Sequence, residues 1–158
     1  IFTASASIYA DKVLDFLDPG RKLIAHRLYR ESCTEIAGGH FKDIRRIGRP
    51  LKDVVLVDNS PLAPGLAPDN GLIVSSWYGD NPLDSELNEV MAIFGQMETL
   101  KSIPDYLRQR YGFKAFLQEL RTAHASKYPA NAARYAAMAR MSQLMFSSSS
   151  SVVTQVQR

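Results

Sequence analysis

The sequence predicts an α/β domain built on a parallel sheet. Two short runs, Val54–Val57 and Leu72–Val74, are continuously apolar and mostly β-branched. An alternating strand keeps one wet face, whereas runs of this kind are covered on both faces, as in parallel sheets. The first run ends in Asp58-Asn59-Ser60-Pro61. Polar residues just past the C-terminal end of a buried parallel strand lie where α/β proteins place their sites. The third observation is size: 158 residues, 46% hydrophobic and 22% charged, fit a single domain with its own core.

Each element has a local reason. Ile1-Phe2-Thr3 reads as the end of a strand. Ser5 or Ser7 is placed to cap a following helix, since a hydroxyl there accepts a free first-turn amide. Tyr9, Val13, Leu14 and Leu17 recur at helical spacing and form its expected buried face. Asp18-Pro19-Gly20 stops it. Leu23 to Tyr29 is the next expected strand, and residues 31–41, with Gly38-Gly39, a hairpin or loop excursion. After the two buried strands, a helix is expected over Asp84–Met97, with Leu87, Val90, Met91 and Phe94 inward. Another is expected over Pro104–Leu120, with Leu107, Tyr111, Phe116 and Leu117 inward. Asn131–Phe146 is Ala-, Arg- and Met-rich and predicts one more amphipathic helix. The serine run 147–151 and the polar end predict a disordered tail.

Composition excludes several classes. One cysteine, Cys33, leaves no disulfide framework and no Cys-based zinc cluster, and leans towards a reducing compartment. No apolar run reaches the roughly 20 residues of a membrane helix. Residues 1–5 have no basic, then long apolar, leader pattern. The sequence opens inside an apolar run without a methionine, so an upstream part is expected. The net charge of +3 resides in the C-terminal part: residues 1–118 hold 14 Lys+Arg against 15 Asp+Glu. That distribution makes no nucleic-acid footprint. Residues 21–49 are locally basic, with Arg21, Lys22, Arg27, Arg30, Lys42, Arg45, Arg46 and Arg49 against Glu31, Glu35 and Asp43. Such a stretch attracts anionic substrates, or is a solvated surface.

A few residues can do chemistry. Asp58 and Asn59 offer the hard oxygens that magnesium takes, although an Asp-Asn pair is also a common turn. Thr3, in Thr-Ala-Ser, can hold a phosphate oxygen or cap a helix. Lys42 can neutralise charge on a phosphoryl group in transfer, or lie on the surface. Arg30 can fork onto a phosphate or pair with Glu31. His26, His40 and His124 show no ligand spacing, and Cys33 reads as a small buried hydrophobe. Met138, Met141 and Met145 form a packing stripe.

Phe2-Thr3-Ala4-Ser5, Tyr9-Ala10-Asp11, Arg30-Glu31-Ser32-Cys33, Lys42-Asp43 and Val57-Asp58-Asn59-Ser60-Pro61, followed by Ser76-Trp77, occur in that order. The series resembles the C-terminal-domain phosphatases of the haloacid dehalogenase superfamily, which act on phosphoserine in the RNA polymerase II tail, and their relatives. The resemblance covers about residues 1–118; nothing covers 121–158. It implies a Rossmann-like parallel sheet, with the site at the strand C-termini, and C-terminal helices. It implies a partial catalytic domain over 1–118; composition alone adds a helical extension over 119–146 and a disordered tail over 147–158. The implied activity is magnesium-dependent protein serine/threonine phosphatase chemistry through an aspartyl-phosphate. Thr3 would bond the transferring phosphoryl and Lys42 would balance its charge. Asn59 would ligate Mg2+, and Asp58 would bind the metal or position a water on it. Tyr9 and Arg30 would line the substrate groove. The implied partner is a phosphoprotein, the polymerase tail among the candidates, and the implied compartment is nuclear, with cytoplasmic as the alternative.

One departure is large. The family's nucleophile lies in Asp-x-Asp-x-Thr/Val, upstream of the Thr-Ala-Ser segment, and this sequence holds no Asp-x-Asp. The sheet is therefore expected to be incomplete at the N-terminus, and the 158 residues to be inactive on their own. The alternative function is a non-catalytic binding module of the same fold, like the related mitochondrial import receptor. A generic small-molecule phosphatase fits less well with Arg30-Glu31-Ser32-Cys33.

Overall fold

The first pairing in the chain is parallel and joins its start to residue 28. In a computed structural model that describes residues 1–36, 38–112, 115, 118 and 119, Phe2 bridges Leu28. Thr3 N–H donates to Leu28 O at 2.9 Å, and Leu28 N–H to Ile1 O at 2.8 Å. Helix α1, Ser7–Leu17, is the crossover between these two segments. A hairpin follows, with β1 (Thr34–Ile36) antiparallel to β2 (Gly39–Phe41). Its turn uses Gly38 at φ 75°, in the left-handed region open to glycine. Single turns at Ile44–Arg46 and Leu51–Asp53 lead to β3, Leu56–Asp58. After a turn at Pro68–Asn70, β4 (Gly71–Ile73) pairs with β3 in parallel, Leu56 opposite Gly71 and Asp58 opposite Ile73. Helices α2 (Glu86–Met97) and α3 (Ile103–Tyr111) follow, and residues 115, 118 and 119 are helical beyond Gly112. The class is mixed α/β.

The apolar core lies in three clusters. Ile36, Phe41 and Leu66 pack under the hairpin, where Gly65 meets the Phe41 ring so closely that a Cβ would lie 2.7 Å from Cε1. Ile44, Leu56, Ala63 and Ala67 back the start of β3. Leu72, Val90, Met97 and Leu107 join β4 to α2 and α3, with Val55, Val57 and Val74 against them. Among the described residues no helix is long and apolar enough to cross a membrane.

Several sequence expectations need correction. Neither Ser5 nor Ser7 caps α1. Its N-cap is Ala6, with no side-chain cap. The buried residues of α1 are Ala10 and Leu14, while Tyr9, Val13 and Leu17 are exposed. The adjoining stripe carries Asp11 and Asp15, and these carboxylates, rather than a wide apolar face, meet the body through Arg27. Leu23–Tyr29 is a strand only at Leu28, because the amides of Lys22, Leu23 and Ile24 all donate to the Asp18 carboxylate, at 2.9, 3.0 and 2.9 Å. The strand expected at Val54–Val57 pairs over Leu56–Asp58 instead. In α2 the seam is Val90, Phe94 and Met97, with Ile93 beside it; Leu87 keeps that spacing but lies in the first turn, and it faces solvent, as does Met91, which lies off the seam. Helix α3 begins under a Ser102 cap and closes at Gly112, whose left-handed φ of 55° breaks the helix expected over Pro104–Leu120, although residues 115, 118 and 119 beyond it are helical; Tyr111 is partly exposed. Phe116, Leu117, the helix expected at Asn131–Phe146 and the tail over 147–158 lie outside the described residues.

Candidate active site

Both parallel pairs run in chain order into polar residues. Phe2 leads to Thr3, Leu28 to Arg30, β3 to Asp58 and Asn59, and β4 to Ser75 and Ser76. The carboxyl ends of parallel strands are where α/β folds assemble sites.

Lys42 and Asp58 meet directly. Lys42 follows β2, and its amide is held by Ala63 O at 3.0 Å. Its ammonium forms an ion pair with Asp58 Oδ2, with side-chain exposures of only 13% and 6%. The other Asp58 oxygen accepts Ser60 N–H at 2.8 Å, the turn that an Asp two residues upstream makes with its own backbone. Asp58 therefore makes the turn and the ion pair at once. Beside it, Asn59 Nδ2 donates to Ser76 Oγ at 2.9 Å, leaving the amide oxygen without a protein donor among the described residues. Ser76 is brought there by the parallel register, which Val74 N–H extends by donating to Asp58 O at 3.1 Å. The Glu86 carboxylate then fixes Ser75 N–H, at 2.8 and 2.9 Å, and so anchors the exit of β4 to α2.

On the other side, Thr3 Oγ1 accepts Ser5 N–H at 3.1 Å and shapes the turn into α1. Arg30 is pinned to the same turn: its Nε donates to Ala4 O at 2.7 Å and its amide to Ser5 O at 3.1 Å. It does not pair with Glu31, and its two terminal nitrogens have no protein partner among the described residues. Cys33 lies between the two sides. Its thiol contacts Thr3 O at 3.9 Å and Tyr29 O at 3.8 Å, and it feels the charges of Lys42, Arg30 and Asp58. Burial pushes its pKa above the ordinary thiol value, against the pull of the two cations. Tyr9 stands apart on the exposed side of α1, and among the described residues no hydrogen bond joins it to the other candidates.

The donor set suits magnesium better than a transition metal. It offers one carboxylate and one amide oxygen, and among the described residues no group of three or more His, Cys, Asp or Glu side chains gathers as a cage. Magnesium takes one or two protein oxygens and keeps several waters. The Asn59–Ser76 bond matters here, because it engages the amide nitrogen and leaves the oxygen available to a cation.

Sequence reasoning passed over Ser76 as the partner of Asn59, and Asp11 and Tyr29, discussed below. The first was recoverable from the parallel register of the two buried runs. The second pair gives no local signal.

The model of the NLI interacting factor-like phosphatase family matches residues 1–106. The human carboxy-terminal domain RNA polymerase II polypeptide A small phosphatase 1 is 42% identical over 109 residues, covering 69% of this chain and 41% of that protein. CTD small phosphatase-like protein 2 of Dictyostelium discoideum is 39% identical over 111 residues, covering 70% of this chain and 19% of that protein. Phosphatase Herzog of Drosophila melanogaster is 43% identical over 103 residues, covering 65% and 29%. The chain thus spans about a fifth to two fifths of the length of these relatives. The chain belongs to the NLI interacting factor-like phosphatase family.

Proposed function

We propose that the chain forms the phosphoryl-binding part of a magnesium-dependent protein serine/threonine phosphatase. The observation that carries this reading is the Lys42–Asp58 ion pair at the exit of β3, with Asn59 and Ser76 bonded beside it and Cys33, against Thr3 O, feeling the charges of both Lys42 and Arg30. On this reading the two parallel pairs belong to one Rossmann-like sheet, and residues 1–118 form the catalytic part. Family members named as CTD phosphatases make a phosphoserine protein, with the RNA polymerase II tail as the first candidate, the proposed substrate, and a nuclear compartment follows from it.

Phosphoryl transfer asks a protein for positioning and charge stabilisation more than for covalent chemistry. Thr3 Oγ1 accepts Ser5 N–H, so its own hydrogen is free to donate to a phosphoryl oxygen. The uncapped first turn of α1 adds backbone N–H groups and the positive end of the helix on the same side. Lys42 supplies a fixed cation, with its approach set by Asp58. Arg30 offers its unpartnered fork to the phosphopeptide, and Tyr9 borders the groove. Asn59 Oδ1 and Asp58 would hold magnesium, which when bound neutralises charge on the phosphoryl oxygens. In the transfer, the P–O bond to serine breaks as a bond to an aspartate oxygen forms, the serine oxygen takes a proton, and water then breaks the aspartyl P–O bond to give phosphate and a free carboxylate. The sequence holds no Asp-x-Asp, so the 158 residues alone are proposed to bind phosphate and not to turn it over.

The test is hydrolysis of a phosphoserine peptide by the full-length protein, with and without magnesium. Asn59→Ala should lower the magnesium-dependent rate about a hundredfold or more, the scale of losing one electrostatic stabiliser. Equal rates in the two proteins sink the metal role. Turnover by the 158-residue chain would overturn the assignment of the nucleophile elsewhere, and phosphopeptide binding without turnover at full length would favour the binding-module reading.

A further inference from the structure

Helix α1 and the segment that carries Arg30 are joined by a polar clamp outside the candidate catalytic residues. The Tyr29 hydroxyl donates to Asp11 Oδ1. Arg27 Nη1 donates to the same oxygen at 3.1 Å and to Asp15 Oδ1 at 2.7 Å. Arg21 reaches Asp15 from outside at 3.2 Å. Asp11 and Asp15 are one helical turn apart and share a face, while Arg27 and Tyr29 are two residues apart and share a side of an extended segment. Two elements therefore meet through two carboxylates, a guanidinium and a phenol. The Arg27 guanidinium is largely withdrawn from solvent, at 9% side-chain exposure.

The neighbours of this clamp are the point. Tyr9 lies two residues before Asp11, and residues two apart on a helix face different ways. With Asp11 held against Tyr29, Tyr9 is turned outward, and it is 64% exposed. Arg30 directly follows Tyr29 and is pinned on its other side to Ala4 and Ser5. The clamp thus sets both the roll of α1 and the position of Arg30. The apolar contacts of α1 do not do this, since only Ala10 and Leu14 are buried and apolar burial has no preferred direction. A charge-assisted hydrogen bond needs distance and angle together.

We infer that Tyr29 and Asp11 are positioning residues for the phosphopeptide: they hold Tyr9 on α1 and Arg30 on its neighbour at the spacing that receives the chain on either side of the phosphoserine. This rests on the groove roles proposed above for Tyr9 and Arg30. Neither Tyr29 nor Asp11 touches the phosphoryl group, which Thr3 and Lys42 bind. The clamp therefore governs recognition of the peptide and not of phosphate.

The test is calorimetric binding to the full-length protein, with a phosphoserine peptide and with inorganic phosphate as separate probes. Tyr29→Phe keeps the ring and removes the hydroxyl. It should raise the peptide Kd roughly tenfold, the scale of one lost hydrogen bond to a charged group, and leave the phosphate Kd unchanged. In an Arg30→Ala background the same change should cost much less, because Tyr29 acts through Arg30. Unchanged peptide binding in Tyr29→Phe overturns the inference. So does a parallel loss of both probes together with a lowered Tm, which marks a purely structural strut. Full additivity with Arg30→Ala also overturns it. If the unmodified protein binds the phosphopeptide no better than its unphosphorylated form, the groove reading itself fails, and this inference falls with it.

Discussion

The two halves of the molecule hold their helices by different means. Against β3 and β4, α2 and α3 are held by apolar packing: Leu72, Val90, Met97 and Leu107 are all nearly inaccessible, and Ile93, Phe94, Ile103 and Tyr106 close around them. Against the Leu28 segment, α1 is held by ions. It buries Ala10 and Leu14, exposes Ile8, Tyr9, Phe16 and Leu17, and attaches through Asp11 and Asp15 to Arg27 and Tyr29. The packed half carries Lys42, Asp58 and Asn59, where the proposed chemistry tolerates little movement. The clamped half carries Tyr9 and Arg30, where a peptide chain must be received. Apolar burial supplies strength without direction, and ionic hydrogen bonds supply direction with modest strength.

The largest expected effect breaks this comparison if it fails. Leu107→Ala should destabilise by about 2–5 kcal/mol in urea denaturation, through lost burial and the cavity left behind. Phe16→Ala, on the exposed side of α1, should stay within about 0.5 kcal/mol. Equal losses would show that the apolar side of α1 is covered in the protein, and the division into packed and clamped halves would be wrong.

A somewhat smaller effect sharpens the packed half. Lys42→Met leaves the Asp58 carboxylate buried with only Ser60 N–H to meet it. The cost should be about 3 kcal/mol, from an uncompensated buried charge. Lys42→Met combined with Asp58→Asn should recover most of it, since removing both partners also removes the penalty. If the double variant is no more stable than the single one, the ion pair is not what settles Lys42 against β3.

How much of this was legible in sequence follows the same division. The parallel runs, the hairpin at Gly38-Gly39 and the placement of Asp58 at a strand end were readable because each depends on neighbours in sequence. The buried face of α1 was misread for a physical reason. Tyr9, Val13 and Leu17 have the right period, but the stripe that meets the body is the one bearing Asp11 and Asp15, and their partner Arg27 is 16 and 12 residues away. Periodicity reports that a helix has an apolar side and not that this side is covered. The strand expected over Leu23–Tyr29 failed in the same way. Its amides were spent on Asp18, a carboxylate that reads in sequence only as a helix stop. In the candidate site, Lys42, Asp58 and Asn59 came from ordered motifs, whereas the Asn59–Ser76 bond needed the strand register, and the Tyr29–Asp11 bond needed the fold.

Acid should separate the halves more gently than any substitution. The Tyr29 hydroxyl, and then Arg27, hold the Asp11 carboxyl below the usual carboxylate range against a smaller upward push from burial. The Arg27 bond does the same for Asp15, and the Ile24 amide, with those of Lys22 and Leu23, for Asp18. On the other side, burial pushes the Asp43 carboxyl up, but its bonds and charge contact with Arg45 outweigh that and leave it lowered. A carboxyl lowered by folding stabilises the native state above its unfolded pKa, about 3.9 for Asp, and that contribution is lost as pH falls through the folded value. Three such carboxylates bind α1 and its exit turn, against one near β3. Amide-exchange protection of α1 and of residues 22–24 should therefore fall below about pH 4 while α2 and α3 stay protected, with no change between about pH 5 and 8. Arg27→Gln should make α1 less protected at neutral pH and flatten its acid dependence, because Asp11 and Asp15 then lose a shared partner. Simultaneous loss of protection in all three helices would mean that the clamp and the core open as one unit, and that direction and strength are not held in separate parts of this fold.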